Sequence, residues 1–209
     1  MSDRVHDYHD GNRYYQDLFD TRRLADYITK TRVQNRIDEV AKKVIQDADM
    51  FFLATCDHRG LPTCSYKGGD PGFIQVLDEK TLAFPNYDGN GKYQSIGNLI
   101  KNPNVGLLFI DFADPSRIRL QGTATAHEND ELQSQYPGAQ FMVRVHVSEV
   151  YVNCPRYVHK YQLVERSAFV PREGVETPVP AWKLEPERRP LLPANDPARE
   201  SPETNELSD

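Results

Sequence analysis

Between residues 51 and 153 apolar and polar positions alternate with a period near two, whereas before residue 50 they recur every three or four. In "VQNRIDEVAKKVIQDAD" apolar residues stand at 33, 37, 40, 41, 44, 45 and 48, with Arg, Asp, Glu and Lys opposite. That is the stripe of a helix laid on something apolar, and it predicts a helix over 33–48. An earlier stretch, 14–30, sets Tyr15, Leu18, Phe19, Leu24 and Ile28 loosely on one side and predicts another. The strands follow. "FFLATC" (51–56) and "LPTCSYK" (61–67) flank the turn residues "DHRG" and predict a hairpin; "GFIQVL" (72–77) and "TLAFP" (81–85) flank "DEK" and predict a second. "VGLLFID" (105–111) is almost continuously apolar and is expected to be buried on both faces. "SRIRLQGTATA" (116–126) alternates Ile118 and Leu120 with Arg117, Arg119 and Gln121, and "AQFMVRVHVSEVYVN" (139–153) alternates through Val143, Val145, Val147 and Val150. A short helix is expected between them, over 128–135. Many short strands without helical crossovers indicate a closed or nearly closed antiparallel barrel, in a mainly β (α+β) chain.

Composition changes this picture mainly at the C-terminus. The chain has 209 residues, of which 38% are hydrophobic, low for a compact domain. Residues 170–209 hold 8 of the 15 prolines and nine acids against five Lys/Arg, so this stretch supplies −4 of the overall −6. Such a composition buries little apolar area, and the tail is expected to be flexible or to wrap a dimer. Trp182, a lone large aromatic within it, is a candidate docking residue. The expected organisation is a helical extension over 1–50, a barrel over 51–169 and the tail over 170–209. The rest of the chain is nearly neutral, with no basic stripe for nucleic acid. No run approaches the ~20 apolar residues of a membrane span. The polar start, "MSDRVHDYHDGNRYY", lacks the apolar centre of a signal peptide, and three widely spaced cysteines make no disulfide framework. These features point to a soluble protein of a reducing cytoplasm.

Candidate chemistry centres on "PNYDGNGKYQSIGNLIKNP" (85–103). A glycine-rich turn leads into a helix expected over 92–101, stopped by "NP". The first amides of a helix lack internal partners and carry the positive end of its dipole, so they favour an anion, the more so beside a lysine. Asn90, Lys92 and Ser95 are the side-chain donors. The segment is not the nucleotide-triphosphate loop, because Lys92 precedes Tyr93 and position 86 is Asn. Nor does it sit in the βαβ unit of a dinucleotide fold. On the residues alone a phosphate cradle and a plain capped turn both remain open.

The order of these segments resembles the FMN-binding split-barrel family typified by pyridoxamine 5′-phosphate oxidase. The likeness covers residues 51–160 and is carried by "GN.K..S..NL..NP.VGLLF" and "R.RLQG.A". It implies a split barrel with N-terminal covering helices and a short helix after the fourth strand. It also implies a homodimer with FMN at the subunit interface and two-electron oxidation or reduction of a small molecule through the flavin. On this likeness Asn90, Lys92 and Ser95 grip the phosphate. Ser65, Tyr66 and Lys67 line the isoalloxazine ring, with Phe84 and Asn86 beside it. Arg117 and Arg119 reach in from a neighbouring strand, and Arg156 is a further anchor. No catalytic residue is implied. The chain departs from the oxidase itself: Asn90-Gly91-Lys92 stands where a Ser-Arg-Lys cluster is usual, Ser65 stands where an Arg is usual, and the C-terminal substrate arginine pattern has no counterpart. A broad relative is therefore expected. The alternatives are a deazaflavin-dependent reductase, or a binding or storage module for flavin, haem or pyridoxal phosphate.

Two weaker features complete the reading. "VYVNCPRYVHK" (150–160) suggests a helix opening at Pro155, with Cys154 at its N-terminus. Cys154 is then either a reactive thiol or a half-buried corner residue. His6, His9, His58, His127, His146 and His159 are scattered without zinc spacing, and no metal is expected.

Overall fold

A computed structural model describes residues 8–199; His6 and residues 200–209 of the acidic tail lie outside the described residues. The order of elements is α1 (Asp10–Leu18), α2 (Arg22–Arg32), α3 (Glu39–Asp47), β1 (Met50–Cys56), β2 (Pro62–Gly68), β3 (Gln75–Asp78), β4 (Thr81–Tyr87), α4 (Gln94–Lys101), β5 (Asn104–Asp111), β6 (Ser116–His127) and β7 (Ala139–Asn153). The seven strands form one antiparallel sheet in the order β2-β1-β5-β6-β7-β4-β3. It is a split barrel, with β2 and β3 as its two edges. Contacts divide the chain into two units, Met1–Arg166 and Ser167–Asp209.

Alternation decides which side chains are inside. Phe51 and Leu53 of β1, Leu107 and Phe109 of β5, Ile118 and Leu120 of β6 and Val143 and Val145 of β7 are buried. Register carries one face across the sheet, because Leu53 lies opposite Leu107, and Leu107 opposite Leu120. At the centre Phe51 meets Phe84 at 5.0 Å edge-on and Phe109 at 5.3 Å, with Phe73 at 6.0 Å. The sheet bends at a bulge between Gln121 and Gly122, where strand partners close in until a Cβ on Gly122 would lie 2.1 Å from the His146 carbonyl oxygen. Only glycine fits there.

Several local expectations need correction. The helix over 14–30 is two helices, broken at Asp20, whose φ of 50° lies in the left-handed region. The helix over 33–48 begins only at Glu39: Gln34 instead pairs with Val150 in an isolated antiparallel bridge, and the Asp38 carboxylate caps α3 by accepting from the Ala41 amide at 2.8 Å. Over 128–135 there is a turn and one 3-10 turn, Gln133–Gln135, because Asp130 is taken up by Arg144 and by the Leu132 amide. No helix follows Pro155. β5 is buried on one face only, its other face carrying half-exposed Leu108 and Ile110. Continuous apolarity reflected an outer sheet face left open by this chain, not two covered faces.

The second unit carries short 3-10 turns at Ala181–Leu184, Arg189–Leu191 and Pro197–Arg199. Lys183 pairs with Asp196 at 2.7 Å, with both side chains 9% exposed, and lies 5.8 Å over the Trp182 ring. Prolines preset the backbone here, so little ordering entropy opposes these turns.

Candidate functional site

The chain leaves β4 at Tyr87 and reaches α4 through residues 88–93, and the backbone there is unusual. Gly91 has φ 72°, and Tyr93, the residue before α4, is left-handed at φ 46°. A bulky residue in that region is uncommon and is held by its surroundings. The Asn90 carboxamide oxygen accepts from the Lys92 amide at 3.1 Å, an Asx turn that shapes the loop. Gln140 of β7 ties the loop to the sheet: its Oε1 accepts from Tyr93 Oη and from Asn86 Nδ2, each at 3.1 Å, and its amide nitrogen reaches Asp88 at 3.4 Å. Nothing in sequence spacing reveals Gln140, because its partners are 47 to 54 residues away.

α4 has no side-chain cap at its N-terminus, so its first-turn amides face outward with the positive end of the helix dipole. The helix lies on the inner face of β1 and β2. Asn98 donates from Nδ2 to Thr55 Oγ1 at 3.0 Å, Ile96 and Leu99 are buried, and Ser95 Oγ lies 3.2 Å from Ser65 Oγ. Lys67 stands two residues along β2 from Ser65 and therefore on the same face, about 7 Å further on. Burial draws the Lys67 ammonium below its ordinary pKa. Two hydroxyls thus meet beside the start of α4, with the desolvated Lys67 further along the same face of β2, and Asn90 and Lys92 are exposed in the loop that leads into the helix. Chemically, this is a set of donors lacking a carboxylate among its named members, and it suits an oxyanion.

The remaining expected residues do not join this cluster. Tyr66 points to the opposite, outer face of β2 and is 63% exposed, its ring 6.1 Å from Phe52. Arg117 and Arg119 share that outer face, opposite Ile110 and Leu108. Phe84 is fully buried in the aromatic centre, so it supports the wall from within and offers no surface of its own. Asn86 is buried and engaged with Gln140, shaping the loop. Arg156 is exposed in the turn beyond β7; Cys154 is exposed too, and without a following helix it has no dipole to activate it. One chain therefore presents Ser65 and Lys67 on the inner face of the sheet and Tyr66, Arg117 and Arg119 on its outer face, the two arginines three strands away from β2.

Elsewhere, a cleft of about 360 Å³ is lined by His127, Glu128, Asn129, Asp130, Glu131 and Arg144. Its floor is a two-pronged ion pair, Arg144 donating to Asp130 at 2.6 and 2.9 Å, with the Asp130 side chain only 3% exposed. The guanidinium holds the Asp130 carboxyl below its usual pKa. With its charges already satisfied, the pair braces the β6–β7 connection. Among the described residues no group of three His, Cys, Asp or Glu is placed to hold a metal ion, and no helix is long and apolar enough to cross a membrane.

The family model described as pyridoxamine 5′-phosphate oxidase matches residues 37–165, which run from the residue before the α3 cap past β7. No curated protein matches the chain. Solved structures do. A candidate pyridoxamine 5′-phosphate oxidase from Lactobacillus delbrueckii is 23% identical, covering 58% of this chain and 99% of its own, with a TM-score of 0.47. An FMN-binding protein from Syntrophomonas wolfei is 11% identical over 67% of this chain and 97% of its own, with a TM-score of 0.43. HutZ, a haem storage protein from Vibrio cholerae, is 19% identical over 56% and 94%, with a TM-score of 0.41.

Proposed function

The chain belongs to the pyridoxamine 5′-phosphate oxidase family, and we propose that it binds FMN, holding the phosphate at the start of α4. The observation that carries this reading is the uncapped α4 terminus beside the Ser65–Ser95 pair and half-buried Lys67. An ester dianion satisfies each of those groups at once: it accepts from the helix amides and hydroxyls, and its charge offsets the desolvation that disfavours the Lys67 ammonium. Asn90 and Lys92 close the cradle from the loop. The ring then lies against the β2 edge, where Tyr66, Arg117 and Arg119 of a second copy complete the slot, since one flat ligand cannot touch both faces of the same sheet. This is why the functional unit is read as a homodimer.

The bound flavin supplies two-electron oxidation or reduction of a small molecule. The chain's own residues fix its phosphate, exclude water from one edge of the ring and place positive charge near it. None of them has to act as an acid or base. Ser65 in place of the usual Arg, Asn90-Gly91-Lys92 in place of the Ser-Arg-Lys cluster and the missing C-terminal arginine pattern favour an oxidoreductase on another substrate over pyridoxamine-phosphate oxidation.

Titration of the purified chain with FMN, followed by quenching of flavin fluorescence, tests the reading. Saturable quenching is expected, weakened at least about tenfold in Lys67→Met, the equivalent of losing one charge-assisted contact. No saturation, or an unchanged curve in the variant, sinks the phosphate assignment.

A further inference from the structure

β4 and β7 fall out of step where the chain leaves β4. Asn86 pairs with Phe141 and Tyr87 with Ala139, so Gln140 is the extra residue of a β-bulge, opposite no residue of β4. A bulge takes one side chain out of the sheet's alternation and re-aims it, and bulges recur beside functional sites. The carboxamide freed here meets the loop before α4. Gln140 Oε1 accepts from Asn86 Nδ2 and from Tyr93 Oη, each at 3.1 Å, and Nε2 donates to Asp88 Oδ1 at 3.4 Å. One side chain thus joins the start of the loop to its end, across Gly89 and Gly91, where even an added Cβ would touch nothing within 4 Å. Tyr93 is the residue on which α4 depends. Its φ of 46° is left-handed, and its carbonyl accepts the first bond of the helix, from the Gly97 amide at 2.6 Å. At 49% exposed it is not fixed by burial, and β7 grips it twice, through Gln140 and through the Phe141 ring at 6.5 Å.

We propose that Gln140 is a positioning residue for the cofactor phosphate: by fixing Tyr93 and the loop, it presets the direction of the Gln94, Ser95 and Ile96 amides before FMN arrives. The inference rests on the FMN reading of the preceding section and adds a residue that acts through Tyr93, not on the ligand. Preorganisation of this kind strengthens binding because the ordering cost is met in the folded protein and not at each encounter. The polarity of the side chain is specified as well. Two donors face Oε1 and a carboxylate faces Nε2, a pattern that only an amide answers in full. A carboxylate in its place keeps the first two bonds and sets two negative groups against each other. A thioether of equal length releases all three. Gln140 is exposed, and exposed hydrogen bonds contribute little to overall stability. What these three bonds decide is therefore the shape of the loop, which has few other restraints.

Fluorescence titration of the full chain with FMN, and separately with riboflavin, tests the assignment in wild type, Gln140→Met, Gln140→Glu and Gln140→Glu/Asp88→Asn. In Gln140→Met the preference for FMN over riboflavin is expected to fall about tenfold, with riboflavin binding and the unliganded urea midpoint unchanged. Gln140→Glu is expected to lose at least as much. The double variant should regain most of the loss, because the amide introduced at position 88 donates to the carboxylate introduced at position 140. Hydrogen exchange of the unliganded protein guards against misfolding: faster exchange in Gln140→Met is expected only in peptides from 86–97. Equal weakening of both flavins, or a lowered urea midpoint, makes Gln140 a merely structural residue and overturns the proposal. So does an unchanged FMN affinity in Gln140→Met, exchange that rises throughout the chain, or a double variant no better than Gln140→Glu. The two readings fail differently. No FMN binding by the wild type removes the cofactor site and this assignment with it, whereas tight wild-type binding that ignores Gln140→Met removes this assignment alone.

Discussion

Gly122 is where a single atom matters most. The β6 bulge brings the His146 carbonyl into the space a side chain would need, 2.1 Å from an added Cβ, and backbone cannot swing aside as a flexible side chain can. Gly122→Ala is expected to cost about 2–4 kcal/mol, read as a lower urea midpoint at unchanged slope. At Gly91, where φ is 72°, the same substitution meets no atom, and its penalty is conformational alone. Asp130 makes a different residue-scale case. Its pKa is depressed in the folded state by Arg144, so the pair stabilises the protein above the ordinary carboxylate range. That contribution is lost as pH falls through the folded-state value. Asp130→Asn is therefore expected to lose about 1–3 kcal/mol near neutral pH, leaving the Arg144 fork half answered, with the gap to wild type closing in acid. A gap that persists at low pH would assign the loss to packing instead of charge.

At the scale of elements, strand patterns were legible because a split barrel buries one face of each strand and sequence alternation reports that directly. Helix extents were less so. The 33–48 pattern counted Val40 among seven inward positions, yet Val40 is 69% exposed while Ile37, Ala41 and Ile45 are buried. Once Asp38 caps the helix, the inward row is the i+4 series alone. Ile45→Ala should then cost about 2–5 kcal/mol and Val40→Ala less than about 0.5 kcal/mol, a contrast measured by thermal or chemical unfolding. If α3 covered the sheet as the longer stripe implied, the two losses would converge. The α1–α2 break at Asp20 was hidden for a related reason: its left-handed conformation is chosen by hairpin contacts such as Arg13–Asp26, which no local propensity encodes. Helix 92–101, by contrast, was read nearly to its ends, because "NP" stops it and glycine marks its entry.

Of the candidate site, what the sequence revealed was the loop and helix; what it hid was which face each strand residue occupies. Ser65, Tyr66 and Lys67 are consecutive and looked like one group, but β2 sends Tyr66 away from the other two, and the register that decides this comes from β1, long-range pairing outside any local window. At the scale of the whole molecule the phosphate then becomes separable from the ring. Riboflavin carries the same isoalloxazine without the ester, so comparing it with FMN isolates the α4 cradle. A ligand at a hundredfold excess over its dissociation constant raises unfolding free energy by about 2.7 kcal/mol, which in a chain of this length moves the melting midpoint by about 5–10 °C. FMN is expected to produce that shift and riboflavin, at equal concentration, at most a small part of it. Rising salt should narrow the difference, though only modestly, because Lys67 is half-buried and poorly screened. Equal stabilisation by both compounds would mean that binding energy resides in the ring alone and that the amides opening α4 hold no anion. An FMN-specific shift that disappears in Lys67→Met at unchanged unliganded stability would tie the selectivity to the inner face of β2, where Lys67 stands on the same side as the Ser65–Ser95 pair beside the uncapped start of α4.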